Sequence, residues 1–412
     1  MMLTAKALSS LELSIQIVSA SSEKPPLLQW SSYDEIEHDF SKLDSVLQSS
    51  YIIRKCLIRK HFLSKCLFSY MTKHPNSILK DAWPRTYEIE ISFADELDEL
   101  FADELWELGE QLQNTKKWWI LKPGMADRGN GIRLFKDRES LEKILEIFEE
   151  SDGDDEDQSD SAVGDNTAVV ISQLRHFVIQ EYIPDPLLLD PREVPIEPDS
   201  TIPDVLEGHK FHLRVYCVAS GALTLFLCNR ILALFSSVPY CPPRSDDTTL
   251  DLAPHLTNTS LQTRRGEEGV RLLDELVGCH VLSSSTQSTK RKFTSGDVSA
   301  IISQISDILV ETFKAALENP VLPNAFELFG VDFLVADHDD GPQVRLLEIN
   351  AEPAIELTGP RLAWILEDLF ADIGKVCVQP FFDSSPPQDW PVGETRLNLR
   401  KCLETEVRRQ PS

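Results

Sequence analysis

Two runs decide how this chain is read: Val331-Asp332-Phe333-Leu334-Val335 and Val344-Arg345-Leu346-Leu347-Glu348-Ile349-Asn350. Both are largely apolar, and they flank a polar turn over 337–342, the pattern of a β-hairpin. Side chains alternate along a strand, so Glu348 and Asn350 share a face, and Asp332 can join them from the partner strand. Three hard oxygen donors converging at a sheet end suit Mg²⁺, which takes a few protein oxygens and leaves room for phosphate. Asp332, Glu348 and Asn350 are therefore the candidate metal ligands. Such a site implies nucleotide chemistry if phosphate binders lie upstream.

They do. Lys117-Trp118-Trp119-Ile120-Leu121 reads as a buried strand, ending at Lys122-Pro123. Gly124-Met125-Ala126-Asp127-Arg128-Gly129-Asn130-Gly131-Ile132 follows. Gly124, Gly129 and Gly131 let backbone N–H groups approach a phosphate, and Lys122 adds a point charge. The spacing is not that of a Walker loop. By itself the loop reads equally as a plain turn; the Lys-Pro before it and the hairpin downstream favour a phosphate loop. Phe177-Val178-Ile179-Gln180-Glu181-Tyr182-Ile183 is a further strand, closed by Pro184. Gln180, Glu181, Tyr182 and Ile183 can offer backbone groups to an adenine edge, and an ordinary core strand explains the same residues. In Lys210-Phe211-His212-Leu213-Arg214-Val215-Tyr216 the alternation puts Lys210, His212 and Arg214 on one face. A cationic face on a half-buried strand calls for anions; a solvated strand face is the plainer alternative.

In this order the segments Trp119 to Ile132, Ile179 to Ile183, Lys210 to Tyr216, Ser236 to Tyr240, His255 to Asn258 and Phe329 to Asn350 resemble the tubulin tyrosine ligase family, which has an ATP-grasp fold. The resemblance covers roughly residues 50–385. Arg59-Lys60-His61-Phe62-Leu63 and Pro84-Arg85-Thr86-Tyr87 are similar to that family's amino-terminal domain. It implies an α+β chain in which mixed and antiparallel sheets from two lobes grip ATP, beside a smaller N-terminal lobe. It also implies an ATP- and Mg²⁺-dependent carboxylate–amine ligase acting through an acyl phosphate. On that reading Lys60, Lys122, Lys210 and His212 belong to the nucleotide site and Arg214 stabilises developing charge. Thr257 and Asn258 stand near the acceptor. Two departures matter. Members that modify tubulin usually carry Asp at the position of His212, and an acceptor-binding Arg just before the Ser-Ser-x-Pro-Tyr segment. Here that segment is preceded by Leu232-Ala233-Leu234-Phe235, without charge. The acceptor is thus expected to be some protein or peptide group other than the tail of tubulin awaiting tyrosine. The rival expectation is a nucleotide-binding interaction module that has lost amino-acid transfer; a phosphotransferase is a third.

Charge and composition narrow the classes. The net charge is −27, which argues against a nucleic-acid surface. Residues 149–160 hold eight acids and 95–107 seven, neither with a base; setting those fifteen aside still leaves −12. Long-range attraction to an acidic tubulin tail is therefore not favoured. No run approaches a membrane span. The first 22 residues make a poor signal or transit peptide, and the cytoplasm is the default expectation. The eight cysteines include no Cys-x-x-Cys, so a zinc site is not expected. The organisation reads as an N-terminal lobe over 1–112, a central lobe over 113–235, a C-terminal lobe over 236–385 and a tail over 386–412. Residues 51–70 and 97–112 read as helices, as do 298–317 and 361–378. Residues 151–164 and 282–295 read as loops.

Overall fold

The structure, a computed structural model, describes residues 2–16, 18, 26–51, 54–124, 131–150, 176–197, 201–244, 251–257, 266–283, 291–317, 323–353, 355–383 and 390–405. In chain order the helices and strands begin with α1 (Met2–Ser9), β1 (Leu27–Gln29), β2 (Val46–Gln48), α2 (Lys55–Ile58), α3 (Lys60–Lys73), α4 (Leu79–Ala82) and β3 (Thr86–Glu90). Then come α5 (Leu97–Ala102), α6 (Trp106–Asn114), β4 (Trp119–Pro123), β5 (Arg133–Phe135), α7 (Arg138–Glu150), β6 (His176–Glu181) and β7 (Leu188–Leu189). The second half holds β8 (His209–Ser220), β9 (Thr224–Cys228), β10 (Leu232–Phe235), β11 (Val270–Leu272), α8 (Ser295–Ala316), β12 (Phe326–His338) and β13 (Gly341–Asn350). It closes with α9 (Ala363–Ile373), α10 (Gln379–Phe382), β14 (Thr395–Arg396) and β15 (Leu399–Glu404).

Two sheets carry the molecule. A four-stranded antiparallel sheet runs β3-β6-β4-β5, and a nine-stranded sheet is built around β8. β8 pairs with β12 along one edge and with β10 and then β9 along the other. The sheets do not respect the lobes read from the sequence. β3, from the first segment, edges the four-stranded sheet, and β8 to β10, from the central segment, lie in the large one. The tail is also structured: β15 pairs with β9, and Trp390, Leu399, Cys402 and Leu403 are buried. A short strand gains stability only when a partner edge exists, and that edge lies some 170 residues upstream.

β8 shows how alternation becomes layering. Phe211, Leu213, Val215, Cys217 and Ala219 join the main core under α8, together with Val331, Phe333 and Val335 of β12. The opposite face of β8 carries Lys210, His212 and Arg214, then Tyr216 and Val218, which pack into a second core with α9. α8 starts on a capping box: Thr294 Oγ1 accepts from the Asp297 amide at 3.2 Å, and Asp297 Oδ2 accepts from the Thr294 amide at 2.8 Å.

Three helical expectations are refined. Residues 97–112 divide into α5 and α6, because Asp103 leaves the helical conformation (φ −130°, ψ −87°). Residues 361–378 keep one α-helix, α9, which runs on into a π-turn. In the stretch 51–70 the extended Arg59 (φ −94°, ψ 118°) separates α2 from α3. The new helix therefore begins at Lys60, whose side chain reaches β13.

The hairpin of β12 and β13 is longer than the sequence suggests. Pairing runs out to His338↔Gly341, which confines the turn to Asp339 and Asp340. Gly341 takes φ +116°, open to glycine and strained for other residues. A bulge intervenes: Asp332 pairs with Glu348 but Phe333 with Leu346, leaving Leu347 extra. Strict alternation would put Glu348 and Asn350 on the face of Val344 and Leu346, which is the core. The bulge moves both polar residues to the opposite face and sends Ile349 inward instead.

Candidate active site

The polar faces of the two sheets meet at one seam. The four-stranded sheet contributes Lys122 from β4 and Gln180 at the end of β6, with Trp119, Leu121, Phe177 and Ile179 buried on its other face. The large sheet contributes Lys210 and His212 from β8, Asp332 from β12 and Glu348 from β13. Together with Ile120, Ile132, Tyr182, Ile183 and the 255–257 segment they line a cavity of about 80 Å³. Pockets for drug-sized ligands measure about 300–1,000 Å³, so the described residues leave less room here than such a ligand fills.

The cationic face of β8 is not solvated: Lys210 is 6% exposed and His212 4%. Lys210 Nζ donates to the His255 carbonyl at 2.8 Å and lies 4.6 Å from the centre of the Tyr182 ring. Lys122, also buried, donates to Gln180 Oε1 at 2.7 Å, and Gln180 Nε2 donates in turn to Thr86 Oγ1 at 3.0 Å. Both lysines thus bond neutral oxygens, and neither forms an ion pair among the described residues. Burial drives the Lys210 ammonium down to about 7, helped by Lys122, and Lys122 itself down to about 8. Tyr182 and His255 complete this end: the Tyr182 hydroxyl lies 3.0 Å from His255 Nδ1, and burial with Lys210 nearby holds His255 at about 4.

The acidic end is assembled differently. Burial alone would raise Glu348, yet Lys60 at 3.2 Å, then Lys122 and Arg214, hold it at about 2. Arg214 grips Asp332 in a two-point pair, Nε to Oδ1 at 2.5 Å and a terminal nitrogen to Oδ2 at 2.9 Å. Burial disfavours the Arg214 charge, but Asp332 keeps it protonated well above the ordinary range. Asn350 Nδ2 donates to Asp332 Oδ2 at 3.3 Å. Asp332, Glu348 and Asn350 are thus neighbours, and an all-oxygen donor set fits Mg²⁺. Among the described residues no group of three His, Cys, Asp or Glu side chains stands ready to hold a metal ion. Arg214 takes one acceptor position on each Asp332 oxygen, and a carboxylate oxygen keeps a second lone pair beyond such a bond.

The two departures noted in the sequence are one feature of the structure. Leu234 pairs directly with His212 across β10 and β8. His212 Nδ1 lies 2.6 Å from Thr257 Oγ1, while its buried Nε2 has no hydrogen-bond partner among the described residues and sits 3.7 Å from Asp332 Oδ1. Burial lowers the imidazole below its ordinary value, against the pull of Asp332. Arg230, two residues before β10, turns its guanidinium to the Trp364 ring, 5.4 Å from the ring centre.

Of the other candidates, Glu181 turns its side chain to Lys117. Gly124 is held where a Cβ would meet His61 Nδ1 at 2.9 Å, and Gly131 (φ +71°) lies against the Pro123 ring. Gly129, Asn258 and the rest of the 125–130 loop lie outside the described residues. Sequence reasoning gave no site role to Thr86 or His255, although both stand in motifs it quoted. Their roles come from hydrogen bonds across strands that no local pattern announces.

Comparison with known proteins bears on the family and the fold. The family model described as the tubulin-tyrosine ligase family matches residues 46–386. A Saccharomyces cerevisiae protein named probable tubulin–tyrosine ligase PBY1 is 38% identical over 92% of this chain, which spans 49% of that relative's length. A probable tubulin–tyrosine ligase of Schizosaccharomyces pombe is 35% identical over 94% of this chain and 91% of its own. Among solved structures, the C-terminal domain of K. lactis Pby1 is 30% identical, with a TM-score of 0.66 over 98% of this chain and 95% of that one. It is described as an ATP-grasp enzyme interacting with the mRNA decapping enzyme Dcp2. The facing sheets form an ATP-grasp fold, and the chain belongs to the tubulin-tyrosine ligase family.

Proposed function

We propose that this chain is an ATP- and Mg²⁺-dependent carboxylate–amine ligase whose acceptor is not detyrosinated tubulin. One observation carries the nucleotide reading: Lys122 and Lys210 are buried at one seam, and among the described residues each hydrogen-bonds only neutral oxygens. Glu348 and Asp332 offset part of the Lys122 charge; the remainder, with Lys210, is costly to bury until an anion arrives, and a polyphosphate supplies it. Gln180 to Ile183 offer the adenine edge. Asp332, Glu348 and Asn350 would hold Mg²⁺, which when bound would supply positive charge against the triphosphate. In the reaction a substrate carboxylate oxygen bonds to the γ-phosphorus as ADP leaves, giving an acyl phosphate. An amine nitrogen then bonds to the acyl carbon, phosphate departs, and the amine gives up a proton. Arg214 stands beside Asp332 to stabilise the charge that develops.

On the acceptor side, Leu234 and the neutral His212 supply no cation for an amino acid's carboxylate. The same feature supports a second reading, a nucleotide-binding module that works by binding a protein; the K. lactis relative is described as an enzyme interacting with a decapping enzyme. A cytoplasmic location suits either reading. Calorimetry with ATP, with and without Mg²⁺, on the native chain and Glu348→Gln, combined with a turnover assay on peptide acceptors, separates them. Metal-dependent binding lost in Glu348→Gln, with turnover, supports the ligase. Binding without turnover supports the module. No ATP binding at all sinks both.

A further inference from the structure

A second concavity, of about 1030 Å³, shares Glu181, Tyr182 and Ile183 with the seam at one end and otherwise extends away from it over residues that the chemistry above does not use. Its floor is the edge of the four-stranded sheet. β3 is the terminal strand, paired with β6 on one side only among the described residues. Thr86 and Tyr87 of β3 line the groove, with Phe68 and Met71 of α3 on one flank and Asp103, Glu104, Trp106 and Glu107, around the start of α6, on the other. Phe68 is 69% exposed and Trp106 60% exposed. Large aromatic side chains left open beside an unpaired strand edge mark a surface that is covered by something.

The charge says what. Asp103, Glu104 and Glu107 belong to the run of seven acids over 95–107. All three are exposed, and none forms an ion pair among the described residues. The whole lining carries six carboxylates against Lys80, Arg85 and Arg345. The flanks differ: the α3 side offers Phe68 and Met71, the α6 side offers acids around an indole face. An added strand sends alternate side chains to opposite faces of the sheet. A strand on the outer edge of β3 would thus meet apolar surface with one set of side chains and carboxylates with the other.

We propose that this groove docks an extended peptide of alternating basic and apolar residues, added as a fifth strand to the outer edge of β3. Backbone hydrogen bonds to β3 supply the register, the apolar set covers Phe68 and Met71, and the cations meet the acids and the Trp106 ring. The proposal does not depend on ATP turnover, so its test is run without nucleotide.

The probe is a fluorescein-labelled peptide of alternating lysine and valine, followed by anisotropy on the full chain. The controls are a glutamate–valine peptide and a lysine–valine peptide of the same composition in two blocks. The alternating basic peptide is expected to bind, and the acidic and blocked ones to bind at least about tenfold more weakly. Phe68→Ser and the double variant Glu104→Lys, Glu107→Lys each weaken it about tenfold, whereas Glu139→Lys, at an exposed acid on α7, leaves it unchanged. Backbone hydrogen exchange over Thr86–Glu90 slows when the peptide is bound. The proposal is overturned by equal binding of the blocked peptide, or by equal loss in Glu139→Lys. It is also overturned by binding without protection of Thr86–Glu90, or by a concentration-dependent dimer of the chain that leaves the peptide unbound.

Discussion

At the residue scale the seam is defined by two buried lysines hydrogen-bonded to neutral oxygens. Lys122→Ala and Lys210→Ala are each expected to cost about 1.5–3 kcal/mol of nucleotide affinity, the size of a hydrogen bond to a charged group. Calorimetry measures this directly; unchanged affinity in both variants would place the nucleotide elsewhere. The lowered lysine values add a pH signature. An unfolded lysine keeps its proton to about pH 10.4, whereas Lys210 releases it near 7. Between those limits the unfolded chain binds more protons, so this residue's contribution makes the free protein more stable as pH rises from 7 toward 10. An anion at Lys210 restores the proton, so ATP binding at pH 8 is expected to take up as much as about one proton through this residue. Calorimetry in buffers of different ionisation enthalpy reads the uptake, and Lys210→Met should reduce it. Asp332→Asn tests the other end. It strands the buried Arg214 and is expected to cost about 3 kcal/mol in urea unfolding; a stability equal to that of the native chain would show the pair contributes little.

At the element scale the decisive feature is the bulge at Leu347. Deleting Leu347 would remove the extra residue and leave a regular ladder in which Glu348 and Asn350 keep the seam face and Ile349 the core face. The deletion variant, like Leu347→Ala, is therefore expected to melt cooperatively near the native temperature. Loss of cooperative unfolding on deletion would show that the hairpin needs the bulge itself. The capping box of α8 is a smaller test: Thr294→Ala should cost about 1 kcal/mol. The sequence showed that β12 and β13 are strands and that their acids cluster. It did not show the bulge, because an extra residue in one strand becomes visible only against its partner.

At the scale of the whole molecule, charge and architecture bear on the acceptor. The chain carries −27 overall, and Leu234 faces His212 across β10 and β8. Long-range attraction to an acidic tail is therefore weak or repulsive, and an apolar side chain cannot replace a charge-assisted hydrogen bond to a carboxylate. The chain is expected not to incorporate labelled tyrosine into detyrosinated tubulin in the presence of ATP and Mg²⁺. Incorporation comparable to that of a known ligase would overturn that expectation.

Sequence alone determined the strand identities of β4, β6, β8, β12 and β13, the face shared by Lys210, His212 and Arg214, and the family. Periodicity and motif order are local properties and survive without a fold. Tertiary structure decided what those faces meet. Lys60 reaches Glu348 only because Arg59 breaks the helix, Arg214 closes on Asp332 only because β8 and β12 are neighbours, and residues 399–404 become a strand only because β9 presents an open edge. Each of these contacts joins residues far apart in the chain, and its energy exists only once both partners have been brought together and dried.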